Sequence, residues 1–159
     1  MSDTPLQLGH ALPDFTVTST GGRDIRLSEL RGKAVVLYFY PKDDTPGCTQ
    51  EGKDFRDLHA RFEEQGAVIL GISRDSLKSH DKFRCKYEFP FELLSDADEA
   101  LCSLFDVIRQ KNMYGKPVRG IERSTFLVDR DGRLAAQWRK VKVAGHAEEV
   151  LAAVEALPG

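Results

Sequence analysis

The segment Pro41 to Cys48 joins the end of an apolar run to the start of a helical pattern, and its residue types suit thiol chemistry. Open α/β sheets place their reactive groups at such strand-to-helix turns. Cys48 falls in the opening turn of the helix, where backbone N–H groups lack intrahelical partners and the helix dipole is positive. Both favour a thiolate, the nucleophilic form of cysteine. Thr45, three residues earlier, offers a hydroxyl that would donate to the sulfur or to an oxygen of a bound substrate. Pro41 and Pro46 restrict the backbone on either side, and Gly47 permits a close approach or a positive φ. The competing reading makes Cys48 a small buried hydrophobe at a helix start, a common fate of free cysteine. The turn and its flanking residues favour the reactive reading.

The other chemistry-bearing residues form no second constellation. Cys48, Cys85 and Cys102 contain no Cys-x-x-Cys pair, and His10, His59, His80 and His146 lack ligand spacing, so neither a metal nor another cofactor is expected. Each histidine has a structural explanation, as His59 beside the apolar stripe of its helix and His146 at a helix start. Cys102 follows Leu101 in an apolar helical pattern and reads as core. Three cysteines without an export signal read as reduced thiols in the cytoplasm. A formal charge of −2 supplies no field to recruit nucleic acid or an anionic membrane, and no apolar run reaches the ~18 residues of a membrane span. Lys111, Lys116, Arg119, Lys140 and Lys142 read as a solvated surface.

The elements that must position Cys48 follow from hydrophobic period. Asp14 to Thr18 alternates like a half-buried strand and is turned by Gly21 and Gly22 into a front hairpin. Ala34 to Tyr40 and Ala67 to Ser73 are continuous apolar runs, the mark of strands covered on both faces. Between them Phe55, Leu58 and Phe62 recur at helical spacing, predicting a helix from about Thr49 to Gln65 that Gly66 closes. Ser76 to Tyr87 predicts a second helix, Phe91 to Leu94 a short strand, and Ala97 to Ile108 a helix capped from Ser95 and Asp96. Lys111 to Gly120 reads as a loop. Ser124 to Val128 and Leu134 to Trp138, joined through Asp131-Gly132, read as a hairpin, and a last helix runs from about His146 to Leu157. This order predicts an α/β, thioredoxin-like fold: a central mixed sheet flanked by helices, with an N-terminal β-hairpin. With 159 residues, 41% of them hydrophobic, and no linker or repeat, residues 1–159 are expected to form one domain.

Pro41, Thr45 and Cys48 match the Pro-x-x-x-Thr-x-x-Cys motif of the peroxiredoxins, which the chain resembles over nearly its whole length. The stretches Tyr38 to Asp43 and Gly120 to Leu127 are similar to the bacterioferritin comigratory protein, or PrxQ, branch. The resemblance implies a thiol peroxidase that reduces hydrogen peroxide and organic hydroperoxides through a Cys48 sulfenic acid. It implies that Arg123 lies beside the sulfur, where a fixed cation would stabilise thiolate and developing oxyanion, and that Glu51 is the candidate to hold it. Many members carry a second cysteine five residues after the first; here that residue is Lys53. Another subgroup carries its resolving cysteine on the following helix, which makes Cys85 the expected partner in an intramolecular disulfide recycled by thioredoxin or a similar thiol reductant. A monomer is implied as well.

Three alternatives remain open. A one-cysteine peroxidase would be recycled by an external thiol. A thioredoxin-like oxidoreductase would need a second cysteine at Thr45, where the motif Cys-Pro-Gly-Cys here reads Thr45-Pro46-Gly47-Cys48. A non-catalytic holdase would use only the surface of the fold.

Overall fold

The computed structural model describes residues 6–158. Thr16–Ser19 (β1) and Arg23–Arg26 (β2) form the front hairpin, with Gly21 and Gly22 both at positive φ in its turn. A 3-10 turn at Leu27–Leu30 leads to Ala34–Phe39 (β3), which is buried at every position. Pro46–Glu64 (α1), Ala67–Ser73 (β4), Leu77–Tyr87 (α2), Glu92–Ser95 (β5) and Ala100–Leu104 (α3) follow. Ile108–Met113 (β6) and Lys116–Ile121 (β7) form a two-stranded ribbon. Ser124–Val128 (β8), Leu134–Trp138 (β9) and His146–Glu155 (α4) complete the chain.

Seven strands form one sheet in the order β2-β1-β5-β4-β3-β8-β9. β3 runs parallel to β4, and β4 to β5, while β8 is antiparallel to β3, so the sheet is mixed as expected. Because successive strand residues face opposite ways, β3 builds both cores. Val36, Tyr38 and Tyr40 join Phe55 and Phe62 of α1 with Val150 and Val154 of α4 on one face. Val35, Leu37 and Phe39 join Leu101, Phe105 and Phe126 on the other.

Three expectations are corrected. The helix predicted over Ala97 to Ile108 contracts to α3, because Asp96 takes the Leu101 and Cys102 N–H groups at 3.0 and 2.8 Å, and Asp106 then turns left-handed at φ 53. Ile108 begins a strand instead. The loop predicted over Lys111 to Gly120 belongs mostly to the β6–β7 ribbon, whose two-residue turn has Tyr114 and Gly115 both at positive φ. Tyr-Gly lacks the Asn or Asp that marks such turns in sequence. α1 also starts three residues ahead of Thr49, since Pro46 loses no helical hydrogen bond at the first position.

Candidate active site

The end of β3 delivers the chain to the helix start that carries Cys48. Thr45 is the N-cap of α1 in extended conformation, Pro46 the first helical residue and Cys48 the third. The first helical hydrogen bond runs from the Thr49 N–H to the Thr45 carbonyl at 2.8 Å, so the N–H groups before it face the helix mouth. Cys48 itself is 2% exposed.

The guanidinium of Arg123 reaches this sulfur because of strand register. β8 pairs with β3 so that Ser124 lies opposite Phe39, which leaves Arg123 just beyond the end of β3, beside the turn. Its Nη2 donates to Cys48 Sγ at 3.5 Å and its Nη1 to Glu51 Oε1 at 2.6 Å. Glu51, one helical turn after Cys48, is fully buried, and its Oε2 has no hydrogen-bond partner among the described residues. Burial therefore pushes the Glu51 carboxyl up to about 7, against the pull of Arg123. A Cβ at Gly47 would sit 2.9 Å from Arg123 Nη2, so the glycine is used for close approach and not for a positive φ. Pro41 and Arg123, with Ile121, Glu122, Lys140 and Val141, line an open depression of about 490 Å³ beside the turn.

Thr45 stands differently from expectation. Its hydroxyl donates to the Lys42 carbonyl at 2.9 Å, which closes the turn, and makes no bond to the sulfur. Cys85 lies on the exposed side of α2, Cys102 lies across the sheet in the other core, and all three cysteines are free. Burial pushes the Cys102 thiol well up, which makes it inert.

Sequence reasoning missed a buried polar group behind the turn. Asp43 Oδ1 accepts from the Tyr40 hydroxyl at 2.6 Å, and its Oδ2 accepts from Ser79 Oγ at 2.7 Å and faces His80 Nδ1 at 2.8 Å. His80 is completely buried. The available signal was periodicity: His80 falls three residues after Leu77 and three before Phe83, on the inward face of α2.

A sulfur at a helix start, with a fixed cation beside it and Thr45 where a dithiol motif would carry its second cysteine, is suited to attack a polarised oxygen rather than to exchange disulfides. On this sheet, that is a thioredoxin-like thiol peroxidase. The model of the AhpC/TSA family matches residues 8–137, and the chain belongs to that family. Within it, the chain is 56% identical over 156 residues to peroxiredoxin Bcp of Xanthomonas campestris pv. campestris, covering 98% of both chains. It matches the solved structure of a Xylella fastidiosa PrxQ mutant with a TM-score of 0.91 and 46% identity, covering 96% of this chain and 98% of that one. It also matches, at TM-score 0.88 and 56% identity over 95% of this chain and 96% of the other, a structure of the X. campestris bacterioferritin comigratory protein described in terms of alkyl peroxide reduction and a trapped intermediate or ligand complex. Two solved variants of X. campestris peroxiredoxin Q have serine for one cysteine or another, at positions one residue closer together than Cys48 and Cys85 are here.

Proposed function

We propose that Cys48 is the peroxidatic nucleophile of this thiol peroxidase and that Arg123 activates it. The observation that carries the reading is the guanidinium 3.5 Å from the sulfur, anchored on its far side by Glu51. The Cys48 thiolate attacks the terminal oxygen of a hydroperoxide, the O–O bond breaks, and the alkoxide leaves and takes up a proton as alcohol or water. Sulfur keeps the hydroxyl as sulfenic acid. Arg123 donates to the oxygens as charge develops on the leaving one, and Thr45 joins by turning its hydroxyl from the Lys42 carbonyl toward the substrate. Pro41 forms one wall. The apolar Pro41, Ile121 and Val141 beside Arg123 favour organic hydroperoxides as well as hydrogen peroxide, in keeping with the alkyl peroxide reduction named for the X. campestris relative.

Cys85 then attacks the Cys48 sulfur and displaces hydroxide, which leaves as water, forming an intramolecular disulfide. A dithiol reductant of the thioredoxin kind returns both thiols by exchange. Its access is through the exposed side of α2 that carries Cys85. We place the protein in the reducing cytoplasm as a one-domain monomer. Among the described residues, no helix is long and apolar enough to cross a membrane.

Stopped-flow mixing of the reduced protein with hydrogen peroxide or an alkyl hydroperoxide, followed by mass spectrometry, tests the scheme. Wild type is expected to consume peroxide and to gain a Cys48–Cys85 disulfide, and Cys48→Ser to do neither. Equal consumption by the two proteins overturns the role of Cys48. A lasting sulfenic acid with Cys85 free replaces resolution by Cys85 with the one-cysteine cycle.

A further inference from the structure

The turn that carries Cys48 and the helix that carries Cys85 are fastened to each other by two adjacent aspartates. Asp43 takes the Ser79 hydroxyl and the His80 ring of α2 at 2.7 and 2.8 Å, inside the protein. Asp44 takes Lys86 Nζ and the Tyr87 hydroxyl of the same helix at 2.8 Å each, at the surface. Cys85 precedes Lys86 directly. The chain is thus gripped on both sides of the second cysteine by the two residues just ahead of Thr45.

His80 is the buried member of this fastening. Nε2 lies 2.9 Å from the Leu94 carbonyl, which can only accept, so Nε2 carries a proton. Nδ1 faces Asp43 Oδ2, a carboxylate oxygen already accepting from Ser79, while Oδ1 accepts from Tyr40. The Tyr40 hydroxyl also lies 3.4 Å from Nδ1, so the ring joins β5 to the peroxidatic turn. The Asp43 N–H is in turn taken by Asp75 Oδ2 at 2.9 Å, itself held by Ser73 Oγ at 2.6 Å. Asp43, Asp75 and His80 lie close enough together to hold a metal ion, and hydrogen bonds join the same three residues.

We propose that His80 is a positioning residue for the peroxidase reaction: through Asp43 it sets the turn that places Cys48 beside Arg123, and it lets go of that turn when α2 unwinds to bring Cys85 to the sulfur. The second half rests on the assignment of Cys85 as the resolving thiol. α2 is suited to opening, because its C-cap is Glu88, a left-handed residue other than glycine at φ 55. Peroxide reduction and resolution then call for opposite states of one contact.

The peroxide step is read alone in a Cys85→Ser background, in single turnovers by stopped flow. His80→Gln keeps a donor within reach of Leu94 but releases Asp43, and is expected to slow that step at least about ten-fold, the order expected for a small misplacement of reacting groups. Asp43→Asn is expected to slow it in the same direction. His80→Asn keeps an amide facing Asp43 and is expected to stay within about three-fold of the parent. Arg84→Ala is the control for loosening α2 elsewhere, since Arg84 binds the Phe91 carbonyl and Glu92, and is expected to leave the step unchanged. A parental rate in His80→Gln, or equal slowing in Arg84→Ala, overturns the positioning role. In the cysteine-intact protein, nitrogen-15 NMR of the His80 ring is expected to show a ring N–H in slow exchange when reduced and its loss from slow exchange in the disulfide form; an unchanged ring in the disulfide overturns the release. Failure of wild type to form the Cys48–Cys85 disulfide overturns the Cys85 assignment and the release with it. The Cys85→Ser series decides the positioning role independently.

Discussion

At the scale of single residues, the site depends on how closely a cation is brought to a sulfur. Gly47 makes room for Arg123 Nη2, and the guanidinium cannot simply retreat because Glu51 holds its other nitrogen at 2.6 Å. Gly47→Ala would place a methyl 2.9 Å from that nitrogen at a helical position where alanine is favoured by up to about 1 kcal/mol. The expected outcome is a protein at least as stable as wild type in urea whose peroxide reaction is slowed about ten-fold or more. A variant with unimpaired kinetics would show that the contact does not matter. Gly47 could be read from sequence as a residue needed for backbone reasons, but which reason applied depended on Arg123, 76 positions later in the chain.

At the scale of elements, the packing of α1 against the chain that leaves α2 rests on another small residue. A Cβ at Gly52 would clash with the Phe89 ring. Phe89 has no room to retreat, since it stacks on Phe91 at 5.3 Å between centroids and meets Phe83 edge-on at 5.0 Å. Overpacking of this kind costs about 1–3 kcal/mol, more than the helix gains from alanine. Gly52→Ala is expected to lower the urea midpoint, and a rise would mean that the ring cluster shifts freely. The same contact explains a glycine inside a long helix, which the periodicity of Phe55, Leu58 and Phe62 left unexplained. The strands and helices with strong periodicity were readable, and so was the cap from Asp96, whereas the early end of α3 and the β6–β7 ribbon were not: a left-handed Asp106 and a Tyr-Gly turn leave little local trace.

At the scale of the whole molecule, two buried groups give stability opposite dependences on pH. Glu51 has its carboxyl raised by burial from 4.5 to about 7. Between those values the folded protein keeps a proton that the unfolded chain has released, so this group's contribution to stability falls as pH rises, by roughly 3 kcal/mol in all. His146, buried against Thr125 with Oγ1 to Nε2 at 2.8 Å, is lowered by burial and then by Arg123 from 6.5 to about 4. There the unfolded chain takes a proton that the folded protein refuses, so stability rises with pH across that window. Urea unfolding from pH 4.5 to 7 separates them: relative to wild type, Glu51→Gln is expected to gain stability as pH rises, and His146→Gln to lose it between pH 4.5 and 6.5. Curves parallel to wild type would show that neither group titrates abnormally.

The sequence by itself determined what depends on neighbours along the chain: the turn from Pro41 to Cys48, the helix mouth under the sulfur, the buried strands β3 and β4, and the absence of a cysteine at Thr45 or Lys53. Such features are written in backbone preference and hydrophobic period, which act over a few residues. Only the tertiary structure decided which side chains meet. The bond from Arg123 to Cys48 spans 75 positions, and that between Asp43 and His80 spans 37. The first depends on β8 lying antiparallel to β3 with Ser124 opposite Phe39, and the second on α2 packing against β5, two strands away from β3 in the sheet. Local spacing carries no record of strand order or register, and the chemistry of Cys48 depends on both.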